Sequence, residues 1–405
     1  MATLAVLGTL DTKGVEHAFV ADQIRARGHR VLLIDAGSQG EPQVKPDIGA
    51  EAVAAAAGAS LSELRGRADR GEAVRVMSSG AAVLVSSLLA SRAIDGIISL
   101  GGSGGTAIGT AAMRALPVGF PKVMVSTLAA SPGVEAYVGV KDLVMIPSVT
   151  DIAGLNRISR LILARAAGAL CGMVEATPPA ATDRPVVVAS MFGNTTACVT
   201  RARSALEAAG YEVLVFHATG TGGRAMESLV ESGLVAGVLD ITTTEWADEW
   251  VGGILGAGPT RLEAAARGGV PAVVAPGCLD MVNFGPPDTV PEKFKGRTFY
   301  AHSPAVTLMR TTPAECAQLG RILAEKLNAS TGPLTVLWPG RGLSVIGAEG
   351  GPFHDPAADA ALLSSLQSAL RSNIGLKVMD CAINDAEFAD TCAAALLGHL
   401  RFAEH

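Results

Sequence analysis

Two stretches of this 405-residue chain carry residue types suited to chemistry on an anion. The first is GTLDTKG, where Thr9, Asp11, Thr12 and Lys13 stand between Gly8 and Gly14 at the end of an apolar run. A lysine ammonium and loop N–H groups answer phosphate charge. Asp11 is the expected metal ligand, since a magnesium ion held mainly by phosphates needs only one or two carboxylates. The loop is not a Walker A motif, because Lys13 precedes Gly14 instead of following a glycine. The second stretch is GGSGGT, with Gly101, Gly102, Ser103, Gly104, Gly105 and Thr106. Four glycines at a strand end let backbone N–H groups converge on an anion, and a helix leading off near Thr106 adds its dipole. Ser126 and Thr127 supply hydroxyls at the next strand end. Asp35 ends the second strand, where an acid often meets a ribose; it is equally suited to capping a turn. Together these residues form an expected nucleotide site.

A second set is richer in groups able to transfer protons: His217, Asp240, Glu245 and Asp280. They stand in HATGTGG, DITTTE and PGCLDMVNF, each after an apolar run. Around them, Gly193, Asn194, Thr195 and Thr196 offer neutral donors, and Thr219, Gly220, Gly222 and Gly223 offer another anion nest. Thr243, Thr244, Asn283, His302 and Arg310 complete the residues expected to contact a substrate, although Arg310 is as well suited to pairing with a nearby carboxylate. Cys198 near a helix start is a possible nucleophile, but five other scattered cysteines make it read as an apolar packing residue. Trp246 and Trp250, four apart, read as packing residues. No HxxxH or CxxC spacing marks a metal cage.

The elements that must position these loops occur twice. TLAVLGTLDTKGVEHAFVADQIRARGHRVLLIDAGSQG aligns without a gap on PVVVASMFGNTTACVTRARSALEAAGYEVLVFHATGTGG, placing Gly28 on Gly210 and Asp35 on His217. Each copy reads as strand, polar loop, amphipathic helix, glycine stop and strand. LAVLG, VLLID, VVVAS and VLVF are near-continuous apolar runs, the mark of parallel strands covered on both faces. IDGIISLGGSGGT echoes VAGVLDITTTE, and GFPKVMVSTLAAS echoes GVPAVVAPGCLDM. The fold class is therefore α/β, with two Rossmann-like doubly wound parallel-sheet domains related by internal duplication. They cover residues 1–178 and 184–405, with a linker near residue 180 in the Pro-rich stretch Glu175 to Pro185. The tail after Gly332 is expected to extend the second sheet. Ligands of such sheets sit beyond the carboxyl ends of the strands, which is where all these loops fall. A cleft between the two domains would join the two rows.

Composition agrees with this plan and narrows the partners. Hydrophobic residues make up 49%, charged residues 17% and aromatics 4%, with 47 glycines, which suits close-packed α/β layers. A net charge of −6 and few aromatics argue against a nucleic-acid surface. There is no apolar run of membrane-spanning length and no basic leader, so a cytoplasmic protein with reduced thiols is expected.

The set GTLDTKG, GGSGGT, PKVMVST, FGNTTAC, FHATGTGG, RLEAAARGGVP, PGCLDMVNF and VTLMRTT resembles the uncharacterised family typified by the amino-terminal region of the tomato mosaic virus resistance protein. The resemblance spans essentially the whole chain. It implies an ATP-binding, self-associating protein of two Rossmann-like subdomains, with Gly8 to Gly14 and Gly101 to Thr106 in the nucleotide site. It does not transfer the plant protein's antiviral role, which belongs to a chain with an additional barrel-like region. The function expected is that of a small-molecule enzyme, an ATP-dependent transferase or ligase, with ATP and magnesium in the first domain and a small carboxylated metabolite against the second, in a homo-oligomer. The alternatives are a lyase or hydrolase of an acyl or keto acid that makes no chemical use of ATP, and a nucleotide-dependent interaction module.

Overall fold

The computed structural model describes residues 1–177 and 184–403. The chain divides into two compact units, Met1–Ala180 and Ala181–His405. The expected linker near residue 180 lies outside the described residues.

In the first unit the elements run β1 (Thr3–Gly8), α1 (Leu10–Arg25), β2 (Arg30–Asp35), α2 (Ala50–Ala56), α3 (Leu61–Arg67), α4 (Arg70–Ala90), β3 (Gly96–Gly101), α5 (Ser103–Arg114), β4 (Lys122–Ser126), α6 (Glu135–Val138), β5 (Val144–Pro147) and α7 (Arg157–Glu175). The strands form one parallel sheet in the order β2-β1-β3-β4-β5. Alternation along β1 explains why the run is apolar throughout. Leu4 and Val6 pack with Val20, Ile24 and Leu170 of α1 and α7, while Ala5 and Leu7 pack with Val53, Met77 and Ile108 of α2, α4 and α5. Among the described residues α4 is the one helix long and apolar enough to cross a membrane. Here it lies in a helical layer against α2, so closely that a Cβ on Gly80 would stand 1.9 Å from the Val53 carbonyl oxygen.

The second unit continues with β6 (Val186–Met191), α8 (Thr196–Ala208), β7 (Glu212–His217), α9 (Thr221–Glu231), β8 (Gly237–Thr242), α10 (Glu245–Val251), α11 (Glu263–Gly268), β9 (Ala272–Gly277), β10 (Met281–Phe284), β11 (Phe299–Ser303), β12 (Val306–Arg310), α12 (Pro313–Asn328), β13 (Leu334–Pro339), α13 (Pro356–Ala369), β14 (Gly375–Met379) and α14 (Ala386–Ala403). Its parallel sheet has the order β14-β13-β9-β8-β6-β7, so the first four strands repeat the plan of the first unit and the tail adds two more. A separate antiparallel sheet, β10-β12-β11, is inserted after β9. Gly28 and Gly210 both adopt positive φ, 84° and 98°, and bond back to Arg25 and Glu207, ending α1 and α8 as their aligned positions required.

Candidate functional site

Each parallel sheet reverses its strand order beside its first strand, between β1 and β3 in one unit and between β6 and β8 in the other. Ligands of open α/β sheets sit at such switch points, beyond the carboxyl ends of the strands. The two switch points differ in what fills them.

At the first, a cleft of about 310 Å³ is lined by Thr9, which links β1 to α1, and by Asp11, Thr12 and Lys13 of the first turn of α1. Gly102, Ser103, Gly104 and Gly105 face them from the start of α5, and Ser38, Gln39, Arg70, Val74 and Ile108 close the sides. No side chain caps α5, and its first-turn N–H groups have no intrahelical acceptor. Gly101 and Gly8 serve approach more than binding. A Cβ on Gly101 would lie 2.7 Å from the Gly105 Cα, and one on Gly8 would lie 1.7 Å from His17 Nε2. His17 is fully buried, and that burial pulls its pKa below the usual value. A ring nitrogen, Nδ1, binds the Lys13 carbonyl at 2.6 Å. Lys13 itself has non-helical dihedrals (φ −133°, ψ 28°), which break α1 after its first turn and set the lysine at the cleft. Its ammonium donates to the Ile152 carbonyl, leaving its other N–H groups available.

The remaining expected nucleotide residues have structural partners. Asp11 Oδ2 accepts from the Gln39 and Gly40 amides at 2.8 and 3.2 Å, which holds the loop after β2 in place, while Oδ1 is buried without a partner. Asp35 Oδ1 accepts from Leu10 N and Gly37 N at 3.0 and 2.8 Å, so of its two suggested roles it performs turn capping and is withdrawn from ribose. Burial raises its pKa. Thr106 and Ser126 are buried against each other, Oγ to Oγ at 2.6 Å, and do not reach the cleft. The Gly14 amide is taken by Gln43 Oε1, and Thr127 bonds through its backbone to Gly101.

On the second rim, both at the switch point and at the neighbouring loop after edge strand β7, the polar groups are taken by the protein's own side chains. Gly220 and Gly223, expected to form an anion nest, both donate to Glu245 Oε1, at 2.6 and 3.0 Å. Gly222 packs on the His217 backbone, where a Cβ would meet the carbonyl oxygen at 1.8 Å. The other Glu245 oxygen accepts from Arg261 Nε at 2.7 Å. The same guanidinium binds Asp240 through both terminal nitrogens, at 2.5 and 2.8 Å, and Glu227 at 3.1 Å. Burial opposes the charge on Arg261, but these three carboxylates outweigh it and hold its pKa above the ordinary value. Asp240 and Glu245 are therefore corrected from catalytic acids to counter-ions of a buried arginine. Thr195 and Thr242 pair through their hydroxyls at 2.8 Å, and Thr243 donates to the Ala275 carbonyl. Thr196 donates to the Phe192 carbonyl, and the Gly193–Thr195 turn carries Asn194, which is buried with only the Met281 sulfur near its amide.

His217 stands exposed at the end of edge strand β7, with its carbonyl bound to Thr219 N at 2.8 Å. His302 is exposed on β11, and Arg310 is buried against Asp359 at 2.6 Å and the Phe353 carbonyl at 2.8 Å. Arg310 therefore takes the carboxylate pairing that was its alternative role, while His302 faces solvent. Asp280 differs from its fellow acids. Ser344 donates to its Oδ2 at 2.6 Å, Oδ1 is buried without a partner, and burial pushes the pKa up to about 6. Nearby on the same rim, Asn283 is bound to Asp248, whose pKa burial pushes to about 7. Asn283 Oδ1 and Thr244 Oγ1 are also buried without partners. All six cysteines are buried and free, Cys198 among them, and no group of three metal-ligating side chains occurs among the described residues.

Sequence reasoning missed Ser38, Gln39, Arg65, Arg70 and Arg261. Arg70 carried a signal: it is the first residue of α4, after the Asp69 cap, where a helix dipole disfavours a cation. Arg261 carried none, since nothing in GPTRLEAA marks its partners 16 to 34 residues away.

The N-terminal domain of an uncharacterised protein family (UPF0261) matches residues 2–179, and its C-terminal domain matches residues 184–400. A UPF0261 protein of Clostridium tetani is 51% identical over 97% of this chain and 98% of its own length. The ToMV resistance protein Tm-1(GCR237) of Solanum lycopersicum is 43% identical over 81% of this chain and 44% of its own. Among solved structures, a putative UDP-N-acetylglucosamine 2-epimerase from Listeria monocytogenes covers 67% of this chain and 78% of its own, at 10% identity. With a TM-score of 0.24, that likeness carries no argument about the site.

Proposed function

The chain belongs to this uncharacterised family, UPF0261, and we propose that its first unit holds a magnesium nucleotide, ATP, at the β1/β3 switch point. The observation that carries the reading is an open cleft where the uncapped start of α5 faces Lys13 and Arg70. The amides and the two cations would bind phosphate oxygens in a partly desolvated site, where such contacts count for more than in water. Asp11 fits a magnesium ion with one oxygen only, the unpartnered Oδ1, so most of the ligands would come from phosphate. The ion would supply charge neutralisation at the phosphates.

For the second unit we propose contact with a small carboxylated metabolite, in a cytoplasmic homo-oligomer. Of the four acid–base candidates, Asp280 alone combines a free carboxylate oxygen with a pKa moved toward neutrality, so any proton transfer there is assigned to it. The shared strand order also supports the reading of the two units as copies of one ancestral plan.

The test is calorimetric titration of the full chain with Mg-ATP. Binding in the wild type that weakens in Lys13→Ala supports the reading. Absence of nucleotide binding overturns it, and unchanged affinity in Lys13→Ala overturns the role of the lysine.

A further inference from the structure

A second cleft, of about 330 Å³, adjoins the first and shares Ser38, Gln39 and Arg70 with it. Its chemistry is different. Leu64, Ala68 and Ala73 give it an apolar side opposite Arg65 and Asp69, whereas the first cleft is lined by glycines, hydroxyls and Lys13, with Val74 and Ile108 at its edge. Ligand pockets run from roughly 300 to 1,000 Å³, so each alone is small and the pair is the size of a site for an extended molecule.

The charged groups around the shared wall are nearly all engaged. Asp69 accepts from the Glu72 amide at 3.0 Å, and Glu72 pairs with Arg67 at 2.6 Å. Arg65 donates to the Gly40 carbonyl at 2.7 Å and pairs with Glu41. Asp11 holds the Gln39 and Gly40 amides, and Lys13 donates to Ile152. Arg70 forms no hydrogen bond or ion pair through its side chain among the described residues, although it borders both clefts.

We infer that one ligand lies across both clefts, with a flat apolar ring against Leu64, Ala68 and Ala73 and a polyphosphate against Lys13 and Gly104. Arg70 clamps the chain of phosphates where the two clefts meet and sets how many phosphates are preferred. The ligand class is then a nucleoside polyphosphate rather than a sugar phosphate or free phosphate. A guanidinium suits this place because its planar fork binds two phosphate oxygens at once. The inference rests on the nucleotide reading of the first cleft.

The experiment titrates the full chain with Mg-ATP, AMP, adenosine and inorganic tripolyphosphate, using wild type, Arg70→Ala and Arg70→Lys. In the wild type, ATP is expected to bind more tightly than either AMP or tripolyphosphate. Arg70→Ala should weaken ATP at least tenfold and AMP less than threefold, and Arg70→Lys should recover part of the loss. Equal weakening of ATP and AMP would mean a merely structural effect and would overturn the assignment. So would unchanged ATP affinity in Arg70→Ala, or tripolyphosphate binding as tight as ATP. If the wild type binds none of the four, the nucleotide reading falls and the assignment falls with it. Binding by the wild type with no change in Arg70→Ala overturns the assignment and leaves the nucleotide reading of the first cleft standing.

Discussion

The loops after β1 and β3 leave their helix start open, whereas the corresponding rim of the second sheet is occupied by the protein itself. In the first unit the α5 amides and two cations border a cleft. In the second, the amides at the start of α9 are taken by Glu245, which is neutralised by Arg261. The strand order is the same, and so is the supply of glycines and threonines. The nest before α9 aligns with the loop after β2, whose Gln39 and Gly40 amides Asp11 likewise holds. What differs is the helix start after β3 and after β8: Gly102 to Gly105 stand open in one, and Glu245, paired with Arg261, begins the other. Loop composition therefore indicates where an anion is stabilised but not whether that anion is a ligand or a side chain.

Removing Arg261 should break this contrast most severely. Arg261→Met leaves Asp240, Glu245 and Glu227 buried without their counter-ion, a class of change that costs about 3–5 kcal/mol. All three tryptophans, Trp246, Trp250 and Trp338, lie in the second unit, so their fluorescence in a denaturant titration reads that unit. A loss below about 1 kcal/mol would show that the cluster is not holding the rim.

The next effect concerns the proton on the closed rim. Burial places the Asp248 pKa at about 7, against an ordinary 3.8. Between these values the folded state keeps a proton that the unfolded chain has lost, so stability falls as pH rises from about 4 to about 7 and levels off above. At about 1.36 kcal/mol per pKa unit the fall has an upper limit near 4 kcal/mol. Asp248→Asn should flatten that slope in tryptophan-monitored unfolding across this range; an unchanged slope would assign it to other groups.

Lys13→Ala probes the open rim directly. Loss of one charge-assisted contact, worth roughly 1.5–3 kcal/mol, should weaken Mg-ATP about 10- to 100-fold in calorimetry. The smallest effect is expected at His217, exposed at the end of an edge strand. His217→Ala should leave stability within about 0.5 kcal/mol of wild type, and a larger loss would reveal a packing role the structure does not show.

Much of the architecture was legible because it depends on local pattern. The apolar runs marked parallel strands, Gly28 and Gly210 marked helix ends, and the repeated order of loops located both rims. The inserted sheet β10-β12-β11 was not read, since its short strands lack a distinctive alternation. At the site, the glycines of the GGSGGT loop were correctly placed at a strand end, but Thr106 and Ser126 could not be seen to pair across 20 residues. Likewise, the filling of the Gly220 nest depends on Glu245, 25 residues along the chain. A hydroxyl or carboxylate looks the same in sequence whether it faces a ligand or a backbone amide; only the fold decides its partner.

The central claim is that an exogenous anion is bound at the first rim and not the second. Hydrogen exchange of the full chain, with and without Mg-ATP, measures both rims at once. The expected result is slowed exchange in peptides spanning Ser103 to Thr106 and Asp11 to Gly14, with Gly220 to Gly223 unchanged because Glu245 already holds those amides. Protection at Gly220 to Gly223 without protection at Ser103 to Thr106 would contradict the account.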